Sequence, residues 1–246
     1  MSLVITLYVR EGIVMASDSR LSINSQLQSP NGSSSVNMVT TITDSNTKIF
    51  MAFDRIGIST FGQAAINGIP VAGFIESFIH LQAPQNSISV KQLSHKLLDY
   101  FCQFNPIPDI GFHVGGYDQS SHESIPLIYR VVPTLRQVTL SNPPQKGEQI
   151  QGASWDGEGD TLARLIQPVS LAQQPGTQNP LPHYPIPWQI FTLQDAIDFA
   201  VFAIDTTIKS FRFQSRPKTV GGPIDVMVIK PQQAQWISRK KLFISL

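Results

Sequence analysis

Ser2-Leu3-Val4-Ile5-Thr6-Leu7-Tyr8-Val9-Arg10-Glu11-Gly12-Ile13-Val14-Met15-Ala16-Ser17-Asp18-Ser19-Arg20 sets two apolar, β-branched runs on either side of one charged turn. Runs of this length and composition, parted by a short polar turn, predict a β-hairpin with strands over residues 3–9 and 12–17. The polar triplet Asp18-Ser19-Arg20 closes the hairpin. The next strongly patterned segment begins at Lys48-Ile49-Phe50.

Between them, residues 24–47 are Ser, Asn, Gln and Thr around Pro30-Asn31-Gly32, which predicts a polar excursion with a turn. Strands are expected at 48–53 and 57–60, with a turn at Asp54-Arg55. Apolar positions Ala64, Ala65, Val71, Phe74, Ile75 and Phe78 predict a helix over 63–80 that tolerates Pro70. Ser89 and Gln92 have the spacing of a capping box, and Val90, Leu93, Leu97, Phe101 and Phe104 follow at helical period. Strands are expected over 110–117, 124–131, 134–141 and 149–154, then a short helix over 157–166. Six prolines fall within 167–190, at 168, 175, 180, 182, 185 and 187, which predicts a long loop. Thr192 and Asp195 cap a helix carrying Leu193, Ile197, Val201, Ile204 and Ile208 on one face. Strands over 223–230 and 235–238 end the pattern. Strands, two helices, strands, two helices and strands, in that order, predict an α+β protein. Neither an internal repeat nor a linker divides the chain, so residues 1–246 are expected to form one domain with a polar insertion near 24–47 and a Pro/Gln-rich loop near 167–190.

Composition narrows the function classes. Charged residues make up 14% of the chain, against about 25% in an average domain. Net charge is +1, which provides no basic field for nucleic acid or an anionic membrane surface. So few charges on a large chain suggest that part of the surface is covered in an oligomer. Cys102 is the single cysteine, so no internal disulfide forms; its neighbours Phe101 and Phe104 predict a packed thiol. The first residues lack a basic segment and a cleavage site, and no run approaches membrane-span length. A cytoplasmic location is therefore expected, and Asn31-Gly32-Ser33 reads as a turn rather than a glycosylation site. Histidines at 80, 95, 113, 122 and 183 show no metal-ligand spacing, so neither a metal nor a cofactor is expected.

The chemistry concentrates at the start of the chain. Removal of Met1 leaves Ser2 with a hydroxyl and a free α-amine on one residue. An amine of pKa about 7.7–8 suits general-base work at neutral pH. A nucleophile activated by its own amine is an established route to acyl transfer. Lys48 would place positive charge beside the developing alkoxide, and Asp18 would keep that lysine charged and oriented. Gly62 would let a backbone N–H approach a tetrahedral oxygen. Ordinary structural readings stand beside these: a common second residue, an ion pair, a polar turn after a strand, and a glycine needed for close packing.

Four segments in order resemble the β subunits of proteasomes. Ser2 to Arg20 runs in register with the family's catalytic threonine through its Asp-Ser-Arg. Lys48-Ile49-Phe50 is similar to the segment carrying its catalytic lysine. Gly57 and Phe61-Gly62-Gln63-Ala64 are similar to its oxyanion segment, and Gly221-Gly222-Pro223-Ile224-Asp225-Val226 to its C-terminal strand. The lack of a propeptide is closest to the short bacterial, ancestral-β type. The resemblance implies a four-layer αββα sandwich of two stacked antiparallel sheets flanked by helices. It implies an N-terminal-nucleophile peptidase with serine in place of threonine, acting through Ser2, Asp18, Lys48 and Gly62. In the same frame Ser22 binds substrate backbone, while Leu21, Thr60 and Ala64 line an apolar specificity pocket. A peptide or protein substrate, a homo-oligomer forming a ring or open helix, and an unfoldase of unknown identity are the partners it implies. The family supports its nucleophile with a serine, an aspartate and a further serine; Glu158, Pro217 and Val220 stand at those positions. That departure keeps open a scaffold that has lost the chemistry, and a third reading is hydrolysis of a small non-peptide amide.

Overall fold

A computed structural model describes residues 2–28, 35–82, 88–119, 124–174 and 177–241. Met1, the turn at Pro30-Asn31-Gly32 and the sequon at Asn31 lie outside them. The chain opens with β1 (Leu3–Val9) and β2 (Gly12–Ser17), joined at Arg10-Glu11 as expected, with every residue of both strands buried. β3 (Leu21–Gln28) and β4 (Ser35–Thr43) pair with one another. The polar excursion therefore carries a hairpin of its own, because a run rich in Ser, Thr and Asn satisfies its backbone groups by pairing with itself. β5 (Ile49–Ala52) and β6 (Ile56–Gly62) follow, with Phe53 and Asp54 at positive φ in the turn.

The expected helix over 63–80 begins only at Val71. β7 (Ala65–Ile66) and β8 (Ile69–Pro70) form a minimal hairpin before it, through Asn67-Gly68 at positive φ. Asn-Gly between apolar residues is a strong hairpin signal, and it overrides the weak helical period around it. α1 (Val71–Gln82) and α2 (Val90–Phe101) come next; α2 starts at the Ser89/Gln92 capping box. β9 (Ile110–Gln119), β10 (Ser124–Val132), β11 (Gln137–Leu140) and β12 (Gly152–Gly157) continue the strands. Residues 133–135 form a 3-10 turn rather than the start of a strand.

α3 (Asp160–Ile166) is a short helix. The Pro-rich segment is not wholly loop: β13 (Ser170–Gln174) and β14 (Thr177–Pro180) pair within it, and residues 188–190 make a 3-10 turn. α4 (Leu193–Phe213) carries the Thr192/Asp195 capping box. β15 (Asp225–Ile229) and β16 (Ala234–Ser238) complete the fold. Cys102 is half-buried, with Sγ 3.6 Å from the Pro133 carbonyl oxygen.

The result is a mixed α+β protein with two larger antiparallel sheets. One runs β12-β1-β2-β15-β16 and the other β11-β10-β9-β6-β5. Three apolar clusters follow from strand alternation, since successive side chains face opposite sides. Leu3, Ile5, Leu7, Val14 and Ala16 of the first sheet pack with Leu162 of α3 and Ala196, Ala200, Ile204 and Phe211 of α4. Ile56, Ile58, Phe112, Val114 and Val131 of the second sheet pack with Val71, Ile75 and Phe78 of α1 and Val90, Leu93, Leu97 and Phe101 of α2. Tyr8, Ile13, Met15, Met227 and Ile229 of the first sheet meet Ile49, Tyr117 and Ile128 of the second. No described helix is long and apolar enough to cross a membrane.

The Thr192 hydroxyl accepts the Asp195 amide, and the Asp195 carboxylate accepts the Thr192 amide in return. Thr192→Ala should destabilise the protein by about 1 kcal/mol, read as a lowered urea midpoint at unchanged m-value. An unchanged midpoint would show that packing alone sets the start of α4.

Candidate active site

A buried carboxylate organises the region around Ser2. Asp18 follows β2, has no exposure, and receives four donors. Its Oδ1 accepts the Leu3 amide at 3.0 Å and Lys48 Nζ at 2.6 Å; its Oδ2 accepts the Arg20 amide at 3.1 Å and the Gly221 amide at 3.0 Å. A carboxylate holding two hydrogen bonds on each oxygen is close to saturated, which is what makes its burial tolerable. The donors come from the start of β1, the residue before β5, the loop after β2 and the loop before β15. Sequence-distant segments therefore meet on one side chain.

Lys48 is 3% exposed. Burial pushes its ammonium below the ordinary 10.5, against the upward pull of Asp18. Beside this pair, Arg20 grips Asp44 with two bonds of 2.6 and 2.7 Å and donates to the Lys218 carbonyl at 3.0 Å. The Arg20 hydrogen bonds hold the Asp44 carboxyl below its usual range. The loop that carries Asp18 is thus tied to the segments before β5 and before β15.

Ser2 is 3% exposed and lines a small cleft together with Asn46, Thr47, Lys48, Thr60, Gly62 and Ala64. Five residues singled out from sequence (Ser2, Lys48, Thr60, Gly62 and Ala64) therefore share one cleft, with Asp18 behind Lys48. Leu21 and Ser22 are buried at the start of β3 and are not among the residues that line it. Gly62 has φ of +92°, and a Cβ there would lie 2.5 Å from the Asp109 carbonyl oxygen. Only glycine fits both the conformation and the space. Next to it, the Gln63 amide donates to that same carbonyl at 2.8 Å, and the Gln63 side chain accepts the Asp109 amide at 3.2 Å.

Ser2 is held from the other side by the end of β12 and the residue that follows it. The Glu158 amide donates to the Ser2 carbonyl at 2.8 Å. Gly157, at φ +92°, lies so close that a Cβ would overlap the Ser2 carbonyl oxygen. The Glu158 carboxylate accepts the Thr219 hydroxyl at 2.9 Å and Arg216 Nη2 at 2.6 Å, while Arg216 Nη1 reaches Asp160 at 2.8 Å. Pro217 is exposed, and Val220 packs in the apolar cluster of the first sheet. Thr219, one residue before Val220, is the hydroxyl that faces Glu158. Sequence reading found Glu158 but not its two partners. Their only local signal is the string Arg216-Pro217-Lys218-Thr219, which does not point to a glutamate about 60 residues earlier.

Several buried hydroxyls near this region, those of Ser17, Ser19, Ser22, Ser59 and Thr60, have no hydrogen-bond partner among the described residues. Among the described residues no three His, Cys, Asp or Glu side chains are grouped to hold a metal. No protein-family model matches this chain, and comparison with curated proteins finds no relative.

Asp18→Asn leaves the buried Lys48 without its counter-charge and should cost about 3–5 kcal/mol in urea unfolding. Adding Lys48→Met should recover a large part of that loss, and equal stability of the single and double variants would contradict a coupled pair. The lysine also sets a pH dependence. Between its lowered native value and 10.5 the unfolded chain binds the extra proton, so the Lys48 contribution to stability grows as pH rises through that window. Wild type should therefore gain on Lys48→Met as pH rises from neutrality toward 10.5. A constant difference in urea midpoints would count against a lowered native value.

Proposed function

We propose that the chain is a proteasome-like N-terminal-nucleophile hydrolase that cleaves peptide bonds through Ser2 after Met1 is removed. The observation that carries this reading is the shared cleft: Ser2, Lys48 and Gly62 line it, and Asp18 holds Lys48 at 2.6 Å. A nucleophile, a cation beside it and a glycine backbone at one opening are the parts an acyl transfer needs. The finer fold reading is a four-layer αββα sandwich, supported by apolar clusters on both faces of each larger sheet.

In the mechanism, the Ser2 α-amine takes the proton of Oγ as Oγ attacks the substrate carbonyl. The Lys48 ammonium stabilises the forming alkoxide. Its position is fixed by Asp18, whose negative charge offsets part of the burial that lowers its proton affinity. The Gly62 N–H donates to the tetrahedral oxygen, a contribution worth about 10²–10³ in rate for donors of this kind. The proton then passes from the α-amine to the departing amine as the C–N bond breaks, which leaves an ester on Ser2. Water, deprotonated by the same amine, releases the acid and restores the hydroxyl. Thr60 and Ala64 in the cleft wall fit an uncharged substrate side chain. Assembly of several copies into a ring or open helix belongs to the same proposal.

Pro217 and Val220 favour a second reading, a scaffold that keeps the fold without the chemistry. Intact mass of the purified protein, before and after a peptide epoxyketone, separates the two. This probe requires a hydroxyl and a free amine on one residue. The expected result is loss of Met1 and addition of one probe molecule, absent in Ser2→Ala. Retained Met1 would overturn the hydrolase reading, and so would a processed protein that takes no adduct.

A further inference from the structure

A second polar cluster lies between the two larger sheets, outside the cleft. The Thr6 hydroxyl of β1 shares a hydrogen bond of 3.0 Å with His113 Nδ1; His113 Nε2 donates to Asp156 Oδ2 at 2.9 Å. Arg130 of β10 closes the chain with two bonds of 2.8 Å to Asp156. Asp156 can only accept, which assigns the Nε2 proton. Burial pushes the Asp156 carboxyl up, but Arg130 and His113 outweigh it and hold the group below its ordinary range. Thr6 and His113 have no exposure, so the arrangement has no route to substrate and is not a second nucleophile.

Its attachments point to a different role. Asp156 stands on β12 opposite Val4, two residues before Glu158, whose amide holds the Ser2 carbonyl. His113 stands on β9 opposite Ser59 of β6, and the Phe61 ring lies edge-on to it at 5.7 Å between centroids. Arg130 sits over the same Phe61 ring at 5.5 Å. Phe61 directly precedes Gly62. Gly111 lacks a side chain where a Cβ would collide with the Phe61 ring, so the ring is seated on backbone. One imidazole thus touches the strand pair that positions Ser2 and the strand end that positions Gly62.

We propose that His113 is a positioning residue that sets the separation between the Ser2 nucleophile and the Gly62 backbone by bolting β1 and β12 of one sheet to β9 and β6 of the other. The proposal rests on the hydrolase reading of Ser2 and Gly62. An apolar contact between the sheets tolerates sliding, whereas hydrogen bonds at both ring nitrogens fix distance and direction. Displacement of reacting groups by about 1 Å costs about 10²-fold, so a half-ångström slip between the sheets is read at the reaction rate.

The test uses the full chain. His113→Leu removes both bonds at similar volume, and Thr6→Val removes only the hydroxyl on Nδ1. In variants that keep the wild-type circular dichroism, the rate of epoxyketone addition and kcat on a peptide should fall. About tenfold is expected for His113→Leu, with a smaller fall for Thr6→Val, and KM should stay within about twofold because no cleft-lining side chain is replaced. If His113→Leu does not fold, Thr6→Val decides alone. Wild-type addition rate and kcat in a folded variant would overturn the positioning role and leave the hydrolase reading intact. An unmodified wild-type protein would instead remove the hydrolase reading, and the positioning role with it.

Discussion

The Asp18 carboxylate is the constraint on which the region around Ser2 depends. It is fully buried, and its oxygens are occupied by the Leu3, Arg20 and Gly221 amides and by Lys48 Nζ. Removing water from a carboxylate costs several kcal/mol unless its hydrogen bonds are replaced. That requirement forces four separate segments to converge, since no single segment has enough donors. The lysine gains a counter-charge from the arrangement, although burial still lowers its proton affinity. Breaking the pair therefore changes both the stability of the fold and the electrostatics beside Ser2.

The space between the larger sheets changes character along its length. Tyr8, Ile13, Met15, Ile49, Ile128 and Met227 fill one part with apolar contacts. Thr6, Ser59, His113 and Asp156 occupy positions on the same inward faces nearer Ser2 and Gly62, following the strand alternation. Apolar packing contributes most of the cohesion and little directional precision. Polar packing contributes less net free energy but sets geometry, because an unmade bond in a buried network is costly. A fold that has to place two backbone segments against each other benefits from polar contacts near them.

Local signals in the sequence located many of the elements. Ser89/Gln92 and Thr192/Asp195 mark helix starts through contacts within four residues, so the capping boxes are legible without a structure. The β1–β2 hairpin is equally local. The hairpin at Asn67-Gly68 was also written in the chain, but the apolar spacing around it matches a helix as well, and period alone cannot choose. Residues 24–47 read as a polar excursion because their polar side chains give no alternation, although Leu21–Gln28 and Ser35–Thr43 pair as strands.

The order of strand and helix blocks was legible from residue type and spacing, whereas Ser2, Asp18, Lys48 and Gly62 became candidate positions through the resemblance of their segments to a known family. Caps and turns are short-range signals, each complete within a few residues. Tertiary structure alone decided that Thr219 and Arg216 hold Glu158, that the Gly221 amide completes Asp18, and that His113 joins Thr6 to Asp156. Those contacts span from 43 to 203 residues of chain. Hydrogen bonds are selected by distance and angle in space, and a one-dimensional pattern carries neither.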